Sequence, residues 1–187
     1  MRVWEEAPFH EGDRLPAEAW ERILSRTNLI RARGQALSLL ARAEHSRFLL
    51  RQKLLQRGHE PSSIEPALDS LEADGSLCDE RFASSWVRSR LRSHPEGRSH
   101  LVAGLRSRGI DGALADRIVD AVLEDESISL TETARDLAAR LTRRRSLGAE
   151  KLADRLYRRG FSSAVVRTVV AEFSDPADPS EAHEETP

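Results

Sequence analysis

The stretch LLQRGHEPSSIEPALDSL, residues 54–71, changes at Gly58 from a leucine-rich basic run to an acidic one. The same arrangement returns as LRSRGIDGALADRIVDAV at residues 105–122 and as LYRRGFSSAVVRTVVAEF at residues 156–173. Each copy has a leucine four residues before its glycine and an arginine directly before it, and the spacing from Gly58 to Gly109 and to Gly160 is 51 residues each time. The chain therefore contains three copies of one structural unit.

The apolar residues after each glycine follow the spacing of an α-helix. They fall six, nine, ten and thirteen positions later, which places them on one helix face: Ile64, Ala67, Leu68 and Leu71, then Ala115, Ile118, Val119 and Val122, then Val166, Val169, Val170 and Phe173. A glycine between two helical segments predicts a helix end in the left-handed conformation, where a Cβ atom is penalised. We therefore predict a structural role for all three glycines. Phosphate binding is disfavoured because no nucleotide-binding glycine motif accompanies them.

The composition favours an all-α fold. Leucine outnumbers valine and isoleucine together, and no segment alternates with period two between turn residues. We predict tandem three-helix repeats that bury their apolar faces against one another. The predicted organisation is an N-terminal extension with one short helix at Pro16–Leu24, three repeats, and a disordered acidic tail: residues 1–30, 31–76, 77–127, 128–173 and 174–187.

Neither a catalytic site nor a metal or cofactor site is predicted. The six histidines are scattered, and neither C-x-x-C nor H-E-x-x-H occurs. Cys78, the single cysteine, cannot form an internal disulfide, and its neighbours Asp79 and Glu80 disfavour the reactive thiolate. No signal peptide and no apolar run of about 18 residues is present. We expect a non-enzymatic cytoplasmic protein that does not bind membranes.

Charge alternates along the chain in step with the repeat. Residues 31–58 sum to +6 and residues 59–80 to −7, and the following blocks at 81–108, 109–139, 140–159 and 172–187 sum to +6, −6, +6 and −6. One interpretation is that basic and acidic surfaces of successive repeats face each other or are simply solvated. The other is that the basic halves form a stripe that binds a polyanion.

A helix, a glycine turn and a second helix also resemble a helix-turn-helix motif, whose second helix enters the major groove. In this chain the second helices are predicted at residues 62–73 and 111–123. The first carries three acids and no basic residue, and the second carries three acids against Arg117 alone. Phosphates would repel both helices. We therefore reject groove readout and retain binding through the basic first and second helices of each repeat.

Five segments resemble the RecX family of regulatory proteins over residues 31–173: LLARAEHS (39–46), LRQKLLQRG (50–58), LCDERFA (77–83), GRSHLVAGLRSRGI (97–110) and LYRRGF (156–161). The resemblance implies an elongated, curved array of three-helix repeats. It also implies a non-catalytic modulator that lodges in the groove of the RecA recombinase filament on single-stranded DNA, most often as an inhibitor, in DNA repair, recombination and the SOS response. Cys78 departs from the family pattern, which usually has Asp there.

Combining the resemblance with the charge bands gives a set of candidate residues. Partner and DNA contacts are predicted in the second and third repeats at Arg88, Arg90, Arg92, Arg98, Arg140, Arg143, Arg144, Arg145, Arg158 and Arg159. Asp79 is predicted to cap the first helix of the second repeat, with Phe82 buried and Arg81 outward. The expected partners are RecA and single-stranded, with some double-stranded, DNA, and the expected state is a monomer. A helical-repeat DNA-binding protein without a RecA partner remains the alternative.

Overall fold

The computed structural model describes residues 16–143 and 147–173, which form helices joined by turns, with no strand among them. In chain order the helices are α1 (Ala17–Leu40), α2 (Arg47–Gln56), α3 (Pro61–Ala73), α4 (Asp79–Ser93), α5 (Arg98–Arg106), α6 (Gly112–Asp125), α7 (Leu130–Thr142), α8 (Ala149–Tyr157) and α9 (Ser163–Phe173). The predicted all-α class is confirmed. We call α1–α3, α4–α6 and α7–α9 the first, second and third sets.

The first helix is longer than predicted. The short helix expected at Pro16–Leu24 is the beginning of α1, which continues unbroken for 24 residues to Leu40. The intervening residues 25–33 contain neither glycine nor proline, so nothing in the sequence stops the helix. The repeat boundary proposed at residue 31 therefore falls inside α1. The boundaries proposed at residues 77 and 128 fall in the turns before α4 and α7.

The three repeated glycines adopt the left-handed backbone that the sequence predicts. Gly58, Gly109 and Gly160 have φ of +82°, +81° and +81°. The leucines four residues before them, Leu54, Leu105 and Leu156, are completely buried. Most of the helical positions after each glycine are buried as well, as the apolar spacing predicted. The 51-residue repeat is thus a repeat of structure as well as of sequence.

The chain divides into two compact units. Within the described residues, the first comprises residues 16–83 with Arg108–Ile110, and the second comprises Ser84–Ser107 with residues 111–143 and 147–173. In the first unit α1, α2 and α3 enclose one apolar core, formed by Ala36, Leu39, Leu50, Leu54, Ile64, Leu68, Leu71 and Leu77. In the second unit α7, α8 and α9 enclose another, formed by Ala134, Leu137, Ala138, Leu152, Leu156, Phe161, Val166 and Val169. The third set therefore has a core made of its own residues.

Asp79 caps a different helix from the one predicted. It is the first residue of α4, and the carbonyl of Cys78 before it accepts the first helical hydrogen bond, from the Phe82 N–H at 3.0 Å. Cys78 thus takes the N-cap position. The Asp79 carboxylate instead accepts from the backbone N–H of Arg47, at the start of α2, at 2.7 Å. Phe82 is buried, and Arg81 is exposed with its guanidinium on Glu44.

Candidate functional site

A cluster of carboxylates surrounds one arginine of the first set. Arg47, the first residue of α2, forms ion pairs with Glu65 at 2.9 Å, Asp69 at 2.8 Å and Glu72 at 2.6 Å, all on α3. Arg51, one turn later on α2, also pairs with Glu65, at 2.6 Å. The hydrogen bond from Arg51, with that from Arg47, holds the pKa of Glu65 below its ordinary value. The acidic face of α3 therefore neutralises the basic start of α2.

The second set repeats this cluster at the equivalent positions. Arg98, the first residue of α5, pairs with Asp116 at 2.7 Å and with Asp120 through two hydrogen bonds of 2.6 and 2.8 Å. These three residues lie 51 positions after Arg47, Glu65 and Asp69. The hydrogen bond from Arg98 lowers the pKa of Asp120. Asp116 and Asp120, which argue against DNA-groove binding by this helix, thus form ion pairs within the protein.

The third set lacks the cluster. The positions 51 residues after Arg98, Asp116 and Asp120 hold Ala149, Arg167 and Ala171, so both carboxylates are missing from α9. The one acid on α9, Glu172, pairs instead with Arg135 of α7 at 2.6 Å. No carboxylate of α9 is therefore available to neutralise α8.

A second type of ion pair joins the first helix of a set to the last turn of its third helix or to the C-cap residue after it, and it occurs in all three sets. Arg33 of α1 pairs with Asp74 at 2.7 Å, and Arg135 of α7 pairs with Glu172. In the second set Arg88 of α4 pairs with Glu126 at 2.8 Å. This pairing is common to the sets and does not distinguish the third set, whereas the missing cluster does.

The formal charge of each set follows from these differences. Residues 17–76 carry nine basic and eight acidic residues, and residues 77–127 carry eight basic and nine acidic residues. Residues 128–173 carry ten basic and five acidic residues, a net charge of +5. The net charge of the third set thus stands well apart from the nearly neutral first two. A surface of this kind attracts polyanions through the summed field of its charges.

Four of the ten basic residues of the third set line a cleft of about 400 Å³ between α7 and α8. Its apolar floor is formed by Leu137, Leu141 and Leu147. Its rim carries four cations and one acid, Lys151, Arg155, Arg158, Arg159 and Asp154. Asp154 pairs with Arg158 at 3.1 Å, a weak surface pair because the Arg158 side chain is 78% exposed. The other three cations form no ion pair within the described residues.

The cleft contains two of the predicted binding residues, Arg158 and Arg159, and two that the sequence reasoning missed, Lys151 and Arg155. A signal for the missed pair exists in the sequence. Positions 151, 155, 158 and 159 follow the i, i+4, i+7, i+8 spacing of one helix face. Summing charge over segments hid this face, because the sum does not record which residues lie side by side.

The predicted arginines of the second repeat are mostly engaged within the protein. Arg88 and Arg98 occupy the pairs described above. Arg90 makes two hydrogen bonds, of 2.9 and 2.7 Å, to Glu96, whose side chain is only 7% exposed. Burial opposes the charge of Glu96, but the hydrogen bonds and charge of Arg90, helped by the nearby His100 and His94, outweigh it and lower the pKa of Glu96. These pairs reduce the positive charge that the second set offers to a ligand.

The remaining predicted arginines lie elsewhere on the second unit. Arg92 and Arg140 line a second cleft of about 360 Å³, which also contains Glu132 and Asp136. Arg143 is exposed at the end of α7. Arg144 and Arg145 lie outside the described residues, as does the predicted acidic tail. The structure thus brings Arg158 and Arg159 together in one cleft, whereas Arg88, Arg90 and Arg98 are engaged in ion pairs with carboxylates.

Among the residues that the structure describes, no group of three His, Cys, Asp or Glu side chains could hold a metal ion. Over the same ranges no helix is both long and apolar enough to span a bilayer. What these residues form is a helical-repeat protein in which acids neutralise the basic helices of two sets and leave the third set positively charged.

Comparison with known proteins identifies the family. A family model described as the first three-helix domain of RecX matches residues 32–71, and one described as the second matches residues 79–117. The chain is 40% identical over 148 residues to "Regulatory protein RecX" of Halorhodospira halophila, covering 74% of this chain and 86% of that protein. It is 36% identical over 136 residues to the protein of that name from Treponema pallidum, covering 73% and 81%. The chain belongs to the RecX family.

Solved structures support the same fold. The chain superposes on a crystal structure of regulatory protein RecX with a TM-score of 0.72 at 23% identity, covering 86% of this chain and 82% of the other. It superposes on RecX from Lactobacillus salivarius with a TM-score of 0.66 at 23% identity, covering 79% and 97%. The three-helix organisation predicted from the repeat is therefore the organisation of this family.

Proposed function

We propose that this protein regulates the RecA recombinase, most simply as an inhibitor, by binding in the groove of the RecA filament on single-stranded DNA. It would do so in the cytoplasm, during DNA repair and recombination. Membership of a family whose proteins are named as regulators supports a regulatory role. The filament with its DNA is a long polyanion, and a chain of repeated helical sets can contact several of its equivalent positions at once.

The observation that carries this proposal is the uncompensated charge of the third set. A polyanion gains little from arginines that already hold two or three carboxylates, because each new contact must replace an existing ion pair. The cleft between α7 and α8 presents cations without that cost. Arginine forks bind phosphate oxygens in a bidentate manner, and the lysine adds a point charge. We therefore propose that the third set makes the principal electrostatic contact.

The alternative is a helical DNA-binding protein without a RecA partner. One observation favours it: Tyr157 on α8 is 48% exposed and directly precedes Arg158 in sequence. An exposed aromatic ring beside arginines can stack on the bases of a single strand. Both candidates use the same surface, so they differ in whether RecA itself is bound.

Two measurements on purified protein separate the candidates. A regulator of the filament should lower the RecA ATPase rate on single-stranded DNA when it is added substoichiometrically to RecA, and it should be retained by immobilised RecA without DNA. A plain DNA-binding protein must cover the strand before the rate falls, and RecA alone should not retain it. The second pair of results would reject the RecA proposal and leave the alternative.

A further inference from the structure

A contact between two helix ends holds the turn at Gly160; we call it the joint, and it connects Gly97 and Ser99 to Arg159 and Gly160. In the second unit, the backbone N–H of Gly97, just before α5, donates to the carbonyl of Arg159 at 2.8 Å. The hydroxyl of Ser99 donates to the carbonyl of Gly160 at 2.9 Å, and the Ser99 N–H approaches the same oxygen at 3.4 Å. The end of α8 therefore meets the beginning of α5, although the two lie about sixty residues apart in sequence.

Helix-end chemistry explains why these groups meet. The last carbonyls of a helix and the first N–H groups of a helix have no partner within it, and their partial charges are opposite. Gly97 supplies no side-chain cap to α5. Hydrogen bonds between the two helix ends satisfy groups on both sides, and they leave the side chain of Arg159 exposed at the cleft.

The joint leaves no room for a side chain at Gly97. A Cβ atom placed on Gly97 would overlap the carbonyl group of Gly160, which is backbone and cannot rotate away. Gly160 is restricted too, because its φ is +81° and an added Cβ would lie 2.6 Å from the N atom of His100. Substitution at Gly97 is therefore expected to open the joint.

A related contact occurs in the first unit at equivalent positions, with a side-chain hydroxyl in place of the backbone N–H as the donor. Ser46 lies 51 residues before Gly97, and Arg108 lies 51 residues before Arg159. The Ser46 hydroxyl donates to the carbonyl of Arg108 at 2.6 Å. Gly148, the position 51 residues after Gly97, has no neighbour within 4 Å of an added Cβ. Gly148 thus precedes α8 as Gly97 precedes α5, but it belongs to no joint in the described residues.

We propose that Gly97 and Ser99 are positioning residues for the basic cleft: by holding the carbonyls of Arg159 and Gly160, the start of α5 fixes the turn that carries the Arg159 side chain. This inference rests on the proposed function for the identity of the ligand, a phosphate-bearing strand. It adds that the binding strength of the third set depends on residues of the second set that do not touch the ligand. The core of α7–α9 consists of its own side chains, so opening the joint should displace the turn without unfolding that core.

The geometry of the joint is tested first, by amide hydrogen exchange measured by NMR on the full chain. The Gly97 N–H should exchange slowly because it donates to Arg159, whereas the Gly148 N–H should exchange quickly. Equal and fast exchange at both amides would overturn the joint whatever the protein binds.

The positioning role is tested by a double-mutant cycle. With a labelled oligothymidylate as the probe, Gly97→Ala should raise the Kd about fivefold, a typical coupling between residues in contact, whereas the matched control Gly148→Ala should leave it unchanged. Arg159→Ala should also raise the Kd, and adding Gly97→Ala to it should have little further effect. Ser99→Ala should weaken binding and Ser99→Thr, which keeps the hydroxyl, should restore it.

Three other outcomes of these binding measurements would contradict the positioning role of Gly97 and Ser99. Full additivity of Gly97→Ala and Arg159→Ala would show that Gly97 does not act through Arg159. Unchanged binding by Gly97→Ala would show that the joint is structural only. A wild-type protein that binds no oligothymidylate would overturn the positioning role together with the proposed function, while the exchange measurement would still decide whether the joint exists.

Discussion

Releasing Arg98 from its carboxylates should create a new nucleic-acid contact in the second set. The substitution Asp116→Asn with Asp120→Asn removes both charges that hold the Arg98 guanidinium, at 2.7 and 2.6 Å. The Arg98 and Asp120 side chains are 42% and 57% exposed, so losing the pairs should cost at most about 1 kcal/mol of unfolding free energy. If the freed arginine contacts one phosphate, the slope of log affinity against log salt for single-stranded DNA steepens by about 0.7. Over a fourfold salt range this is an extra change of about 2.6-fold in affinity.

Fluorescence anisotropy of a labelled oligothymidylate at several salt concentrations measures this slope. The control Glu60→Gln with Glu124→Gln removes the same two charges from exposed side chains that form no ion pair within the described residues. It reports the general effect of net charge. If both variants show the same salt slope and the same affinity for single-stranded DNA, the carboxylates do not prevent Arg98 from binding DNA. Ion pairing would then not explain why the second and third sets differ in DNA binding.

The remaining predictions concern stability and charge. Replacing each of the buried repeat leucines by alanine should lower the free energy of unfolding in urea by about 2–5 kcal/mol. The variants are Leu54→Ala, Leu105→Ala and Leu156→Ala. Unchanged unfolding midpoints in all three would refute the assignment of these leucines to the core of each repeat. Arg90→Ala should cost about 1–3 kcal/mol at neutral pH, because it leaves the buried Glu96 carboxylate without its partner. The pKa of Glu96 is lowered from 4.5, so its pairing stabilises the fold above that pH and the contribution is lost as pH falls through the folded pKa. The difference between wild type and Arg90→Ala should therefore shrink below pH 4.5, and a difference that is constant with pH would contradict this assignment. Deleting residues 174–187, which contain five acids and no Lys or Arg, should tighten binding to single-stranded DNA, whereas unchanged affinity would show that the tail does not compete for the basic surface.

The repeat could be predicted from sequence because each copy satisfies the same local requirements. A left-handed glycine, a buried leucine four residues earlier and a helical apolar face leave the same pattern wherever the unit recurs. Leu54, Leu105 and Leu156 were identified from that pattern and are all fully buried. The unbroken α1 was not recognised, since the prediction ended the helix at Leu24 and began the first repeat at residue 31, although no glycine or proline between them ends a helix.

The charges were harder to interpret because their partners lie far apart in sequence. Arg98 and Asp120 are 22 residues apart, and Arg47 and Glu72 are 25 apart. The positions of Asp116 and Asp120 on one helix face, and their replacement by Arg167 and Ala171 one repeat later, are visible in the sequence. Only the packing of α5 on α6 shows that these acids face Arg98. The joint at Gly97 could not be predicted from the sequence, because its acceptors are the backbone carbonyls of Arg159 and Gly160, which every residue type carries, and they lie about sixty residues away along the chain.

The most direct test of the central claim, that the third set carries the regulatory contact, is a titration of the RecA ATPase on single-stranded DNA with two charge-matched variants. One replaces the unpaired cations of the cleft, Lys151→Ala, Arg155→Ala and Arg159→Ala. The other removes three exposed arginines of the first set that form no ion pair within the described ranges, Arg31→Ala, Arg42→Ala and Arg57→Ala. The wild-type protein and the first-set variant should lower the ATPase rate substoichiometrically, and the cleft variant should need a concentration about tenfold higher or more, equivalent to about 1.4 kcal/mol of binding free energy. Equal inhibition by the two variants, or stronger inhibition by the cleft variant, would contradict the assignment of the contact to the third set.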